Sequence, residues 1–349
     1  MWYVMQDGPM RLLVLGGTAF LGRAVANSAI TAGDDVVCAA RGVSGDLAPG
    51  VTFVTLDRQV PEGYAAVAAA GPFDAVIDVS SKPSFVRGAV AALAAHAEHW
   101  VYVSSASAYA DNETPGQRAA DAPTLPAASV EIDDPTLLEN YGPCKVACEE
   151  AVVAAMGAEH AVICRAGLIV GPEDQSGRFT YWPERMARGG PVLAPGSPSD
   201  PVQWVDVRDL AAWLVSAART RLGGVFDGIG ASVPRADFLA GVAAGVGVDQ
   251  PEMIWVDQAF LMKHQVNPWA GPRSLPLWLP LPEYAGFLAR DVSASIAAGL
   301  VCRDVADTSG STLAWLRASA TTQAESSGLS AADEADLLID WSLAKGHQG

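Results

Sequence analysis

Tyr141 and Lys145 are the two residues of this 349-residue chain whose types and spacing best fit a defined chemistry. On a helix, positions four apart share a face, so a phenol and an ammonium would project together. Hydride delivery to a carbonyl needs a proton donor for the new alkoxide, and such a donor works best with a pKa near ambient pH. A free tyrosine lies near ~10, and bringing one to ~7 requires about 4 kcal/mol. An ammonium at ~4–6 Å supplies about 3–4 kcal/mol at an effective dielectric of ~20. The same pair also reads as an ordinary solvated helix face, and the spacing alone does not separate the two. A hydroxyl to hold the substrate oxygen is available in the serine cluster Val103-Ser104-Ser105-Ala106-Ser107-Ala108-Tyr109, which ends an apolar run.

A second constellation lies upstream. Gly16, Gly17, Thr18, Ala19, Phe20, Leu21 and Gly22 follow an apolar run and precede a helical pattern. Glycines allow a tight turn and close approach to a pyrophosphate, while a helix N-terminus offers free N–H donors. Ala19 takes the place of the middle glycine of the usual pattern. After the second apolar run comes Arg41, with no acidic residue where NAD would want one for its 2′-hydroxyl. An arginine there suits the 2′-phosphate of NADP, so NADP(H) is the expected cofactor and NAD(H) the alternative. Asp57, past the third run, is placed to meet the adenine amino group or to cap a turn.

The elements that must position these residues alternate. Apolar runs at Arg11–Leu15, Asp35–Ala40, Val51–Leu56, Phe73–Val79, Trp100–Ser104 and Ala161–Arg165 predict strands. Helical patterns separate them at Phe20–Thr31, Pro61–Ala70, Pro83–Ala97 and Tyr141–Met156. Continuous apolar strands in βαβ repetition predict a parallel sheet covered on both faces. Residues 111–140, rich in Asp, Pro, Thr and Ala, read as a long surface loop. From Gly171 the texture changes, with helices expected near Val207–Thr220 and Ala236–Val246, a strand near Met253–Val256 and a final helix over Leu329–Leu343. The five prolines of Asn267–Tyr284 exclude a helix or central strand there.

Composition narrows the function classes. Half the residues are hydrophobic and 17% charged, which excludes a mainly disordered chain, and the formal charge is −17. So acidic a chain repels nucleic-acid backbones and anionic lipid, and no Lys/Arg cluster offsets this. Cys38, Cys144, Cys148, Cys164 and Cys302 form no C-x-x-C pair, so reduced thiols in a cytoplasm are expected and no metal site. Residues 1–10 have neither a basic region nor a long apolar run, which argues against a signal peptide, and Met10 is a second possible start.

Taken together, these segments resemble the extended or atypical short-chain dehydrogenases/reductases of the NAD-dependent epimerase/dehydratase family. The resemblance rests on Gly16–Gly22, Ser104–Tyr109, Tyr141–Lys145, the segment Arg165-Ala166-Gly167-Leu168 through Pro172, and Gln203–Leu210. It covers roughly residues 11–300 and is strongest in the first 210. It implies Tyr141 as catalytic acid/base, Lys145 as the residue that tunes the phenol and holds the nicotinamide ribose, and Ser105 at the family's Ser/Thr position. Val79, Ser80, Ser104, Ala166, Gly167 and Leu168 complete the cofactor-binding set that goes with this reading. The fold class expected is α/β, a Rossmann-type doubly wound parallel sheet with a smaller C-terminal substrate-binding region. Residues 11–170 form the dinucleotide-binding domain, and 171–349 mainly the substrate region, with elements returning to the first domain.

Departures from the family pattern narrow the activity. Ala106 and Ser107 stand where sugar-nucleotide dehydratases have Asp and Glu, so dehydration is not expected. Leu168 replaces an epimerase asparagine, and Val202 replaces an arginine that holds the nucleotide. The aromatic stretches Phe179–Pro183, Trp204 and Trp269–Trp278 either pack as core or line a cavity suited to an apolar or aromatic ketone. Three readings follow: an NADP(H)-dependent ketoreductase of a small metabolite, an NAD(P)-dependent epimerase of a sugar or sugar nucleotide, or a non-catalytic cofactor-binding protein. The expected partner is a small molecule, with no nucleic acid or membrane, and the chain is a monomer or homodimer.

Overall fold

In the first strand, β1 (Arg11–Leu15), Leu12 and Val14 enter one apolar core while Leu13 and Leu15 enter another on the opposite face. A strand buried on both sides needs helices on both sides. The computed structural model describes residues 8–43, 45–319 and 327–346, so the stretch read above for a leader lies outside them through Asp7. After β1 come α1 (Phe20–Thr31), β2 (Asp35–Ala40), β3 (Thr52–Thr55), α2 (Tyr64–Ala69), β4 (Phe73–Asp78), α3 (Pro83–Leu93) and β5 (Ala97–Ser105). Beyond the long loop lie α4 (Leu138–Met156), β6 (Ala161–Ala166) and the two-residue β7 (Ile169–Val170). They are followed by α5 (Tyr181–Ala187), β8 (Val192–Pro195), β9 (Pro201–Val202), β10 (Val205–Asp206), α6 (Val207–Arg219) and β11 (Gly224–Gly228).

The sheet has seven strands in the order β11-β6-β5-β4-β1-β2-β3, every pair parallel. Helices α1 and α6 cover one face, through Leu21, Val25, Leu210 and Trp213. Helices α2, α3 and α4 cover the other, through Val67, Val86 and Val152. The fold is therefore the doubly wound Rossmann type. Strand order reverses between β1 and β4, and a ligand crevice opens outside the carboxyl ends of strands at such a switch point.

Apart from the two apolar layers that flank the sheet, the chain beyond Gly167 builds a second core region of its own, with Phe179, Trp182, Phe238 and Trp278 almost fully enclosed. Between Asn267 and Tyr284 only two short paired segments form, Asn267–Pro268 and Ser274–Leu275, as the prolines require. Helix α4 begins at Leu138, three residues before the expected start at Tyr141. Its first turns lack the bond that Pro143 cannot donate, which blurs the boundary in sequence. No helix among the described residues is long and apolar enough to cross a membrane.

Candidate active site

The carboxyl ends of β1, β4, β5 and β6 surround a crevice of about 960 Å³. Its floor at β1 is the glycine turn. A Cβ on Gly22 would lie 2.1 Å from the Gly16 carbonyl oxygen, so α1 meets the turn at a distance only glycine permits. Ala19, the N-cap of α1, gives no side-chain cap and the first turn holds no acidic residue, leaving the first N–H groups of the helix without side-chain acceptors. Gly16, Thr18, Ala19, Phe20, Leu21 and Gly22 line the crevice, while Gly17 sits behind them against Cys38.

Tyr141 and Lys145 reach the same space from α4. The helix can approach because residue 142 is glycine: a Cβ there would meet the Ser107 oxygen at 2.2 Å. That contact brings the tyrosine beside the turn that follows β5, where Ser105 Oγ accepts a hydrogen bond from the Ser107 amide at 3.1 Å. Ser104, Ser105, Tyr141 and Lys145 all line the crevice. The Lys145 Nζ lies 6.0 Å from the centroid of the Tyr141 ring. The Tyr141 hydroxyl makes no hydrogen bond among the described residues and is free to meet a substrate.

Lys145 is buried, and its ammonium donates to two main-chain oxygens, Val103 O at 2.7 Å and Ser80 O at 3.1 Å. Ser80 O also accepts from the Tyr102 hydroxyl at 2.9 Å. The Ser80 amide is held in turn by Asp78 at 3.0 Å. Asp78, at the end of β4, is gripped on both carboxylate oxygens by Arg58, at 2.8 and 2.7 Å. Arg58 and Asp78 are thus a positioning pair that the sequence analysis missed, since Asp57 rather than its neighbour drew notice. One turn beyond Lys145, Glu149 accepts from Ser104 Oγ and from Arg165, at 2.7 Å in the shorter contact, which ties α4 to the ends of β5 and β6. Replacing the buried Asp78 with asparagine leaves the largely buried side chain of Arg58 without its counter-charge. The expected loss of stability is about 3–5 kcal/mol, read as a lower urea midpoint.

The remaining expected residues are placed as follows. Val79 and Ala166–Leu168 line the crevice. Ser80 serves through its carbonyl and is not itself on the wall. Arg41 is exposed at the carboxyl end of β2, and Asp57 caps its own turn by accepting from the Gln59 amide at 3.0 Å. Of the residues just after β2, Gly45 and Asp46 reach the crevice, because Gly45 folds against the Thr18 oxygen.

The far wall carries Glu173, Asp174, Gln175, Ser176 and Arg178 from the loop after β7, which no motif marked, together with Trp269, Phe287 and Trp315. Glu173 and Trp269 both hold left-handed backbone, with φ of 74° and 70°, and Glu173 is tied across the crevice to Arg23 of α1. Of the aromatic stretches read from sequence, Trp269 reaches the crevice. Phe179, Trp182 and Trp278 belong instead to the second core, because they fall on the inner faces of their segments. Among the described residues no group of three or more His, Cys, Asp or Glu is arranged to hold a metal ion.

Comparison with known proteins follows the same lines. The profile of the NAD dependent epimerase/dehydratase family matches residues 12–226. A 2′-dehydrokanamycin reductase from Streptomyces kanamyceticus is 31% identical over 195 residues, which are 54% of this chain and 52% of that protein. The chain thus spans about half the length of this curated relative. The fold is similar to that of the Bordetella bronchiseptica enzyme WbmH in complex with NAD+. The TM-score is 0.65 at 18% identity, over 89% of this chain and 99% of that one. It is also similar to a UDP-glucose 4-epimerase from Thermotoga maritima, with a TM-score of 0.62 at 15% identity, over 88% and 99% of the two chains.

Proposed function

The chain belongs to the NAD dependent epimerase/dehydratase family, and within it we propose that it is an NADP(H)-dependent reductase of a carbonyl on a small metabolite with an apolar or aromatic body. The reading rests above all on one observation: Tyr141, Lys145, Ser105 and the uncapped glycine turn line a single crevice. The curated relative is itself named a reductase, which supports reduction over epimerisation.

The residues fit a dinucleotide. The free N–H groups at the start of α1 suit a pyrophosphate, and the absent Cβ at Gly22 lets the helix end pack close against the turn that would hold it. When bound, the nicotinamide supplies the hydride. Lys145, its ammonium steadied by Ser80 O and Val103 O, would hold the nicotinamide ribose. Ser105 donates its hydroxyl to the substrate carbonyl oxygen and polarises it. Tyr141 gives its phenolic proton to the oxygen as negative charge develops there, and Lys145 stabilises the phenolate left behind.

The test is a screen of ketones and nucleotide sugars with both nicotinamide cofactors, following near-ultraviolet absorbance. Steady net consumption of NADPH is expected with a ketone. An epimerisation, which returns its cofactor each cycle, shows none, and that outcome would replace the present reading. Cofactor choice is tested separately. Arg41→Ala is expected to weaken NADPH binding about tenfold or more while leaving NADH nearly unchanged, as befits loss of one charge-assisted phosphate contact. Equal weakening of both would remove Arg41 from the 2′-phosphate site.

A further inference from the structure

Arg178 is the cation on the substrate side of the crevice that no hydrogen-bonded carboxylate neutralises. Its Nε donates to Ser176 Oγ at 3.2 Å, and its guanidinium lies 5.6 Å from the Trp269 ring centroid. Among the described residues its two terminal nitrogens have no hydrogen-bond partner. Arg178 lines the same crevice as Tyr141 and Ser105, and burial there pushes its guanidinium pKa down.

Neither neighbouring acid forms an ion pair with it among the described residues. Glu173 is committed to Arg23. Asp174 is only 4% exposed. Its Oδ1 accepts from the Ser176 amide at 2.9 Å, and its Oδ2 is enclosed with no partner. Burial pushes the Asp174 carboxyl up. Asp174 and Arg178 both line the crevice, but the free carboxylate oxygen is enclosed while the terminal nitrogens of Arg178 are unengaged among the described residues. In a chain of formal charge −17, a guanidinium edge left open in the crevice that holds Tyr141 and Ser105 calls for an anionic acceptor.

We propose that Arg178 binds a carboxylate carried close to the reacting carbonyl, making the substrate a keto acid whose apolar or aromatic body packs at the Trp269–Phe287 corner. This rests on the reading of Tyr141 as proton donor given above. The guanidinium fork matches a carboxylate bidentately and fixes its orientation as a lysine cannot. Trp269 and Phe287 meet edge to face at 5.6 Å, and together with the Arg178 stack they hold the fork in place. Arg178 is thus a specificity-determining residue that aims the carbonyl at Tyr141 and Ser105.

The experiment uses the full chain loaded with NADP+ and three probes of one shape, benzoate, benzamide and benzylamine, in ligand-observed NMR titrations. Benzoate is expected to bind at least tenfold more tightly than benzamide or benzylamine. Arg178→Met should erase that preference, and Arg178→Lys should retain part of it, with NADP+ affinity unchanged in both. Equal binding of benzoate and benzamide, or a preference that survives in Arg178→Met, overturns the inference. Benzylamine as the tightest probe also overturns it, and transfers recognition to Asp174. A protein that binds none of the probes yet binds NADP+ overturns the inference alone. Failure to bind either NADP+ or NAD+ overturns the nicotinamide reading and the inference with it.

Discussion

Replacing Tyr141 with phenylalanine is expected to lower kcat/KM for carbonyl reduction by about 10²–10⁴-fold, the range a positioned general acid contributes. The ring stays, so its packing on α4 stays. The lost hydroxyl has no hydrogen-bond partner among the described residues, so removing it strands no buried group. NADPH affinity and thermal midpoint should therefore remain close to those of the parent protein. Turnover measured from NADPH absorbance, beside a fluorescence titration of the cofactor, separates the two effects. Undiminished turnover would take Tyr141 out of the mechanism.

Lys145→Met should cut turnover by about 10²-fold or more, since an ammonium at this range supplies about 3–4 kcal/mol to a neighbouring phenolate. Cofactor affinity should fall as well, which sets this variant apart from Tyr141→Phe. Methionine has nearly the length of the lysine stem. However, the Val103 and Ser80 oxygens lose a buried donor. A stability loss of about 1–3 kcal/mol is therefore expected alongside the kinetic one. Full retention of cofactor affinity would show that the ammonium does not hold the ribose.

The parallel sheet was legible because β1, β2, β4, β5 and β6 are nearly continuous apolar runs, and periodicity reports such strands directly. The seventh strand, β11, was not. It has glycine at both ends and an acid inside, and it becomes a strand by pairing with β6 and seating Phe226 against Trp213. The helix Val305–Ala318 escaped for a related reason. Its Thr, Ser and Gly residues have weak helix propensity, and packing against the second core outweighs that.

At the site, the local motifs were readable. Tyr141 and Lys145 lie one helical turn apart, and the glycine turn follows its strand at once. What sequence does not display is pairing across distance. Arg58 and Asp78 are twenty positions apart, and nothing local marks either as a partner. Arg178 looks like any solvated charge until the chain after β7 folds back over the crevice. Gly142 offered a signal that went unused: a glycine inside a helix costs about 1 kcal/mol against alanine, and so implies a close neighbour.

Because the ammonium of Lys145 rests on two peptide oxygens, no exchange of side chain at position 80 or 103 deletes its seat. Drift at those strand ends is uncoupled from the chemistry, provided the main chain keeps its course. An engineer wishing to change what the protein accepts could thus rework the wall around residues 174–178 and 269–287 and leave the proton-transfer apparatus undisturbed.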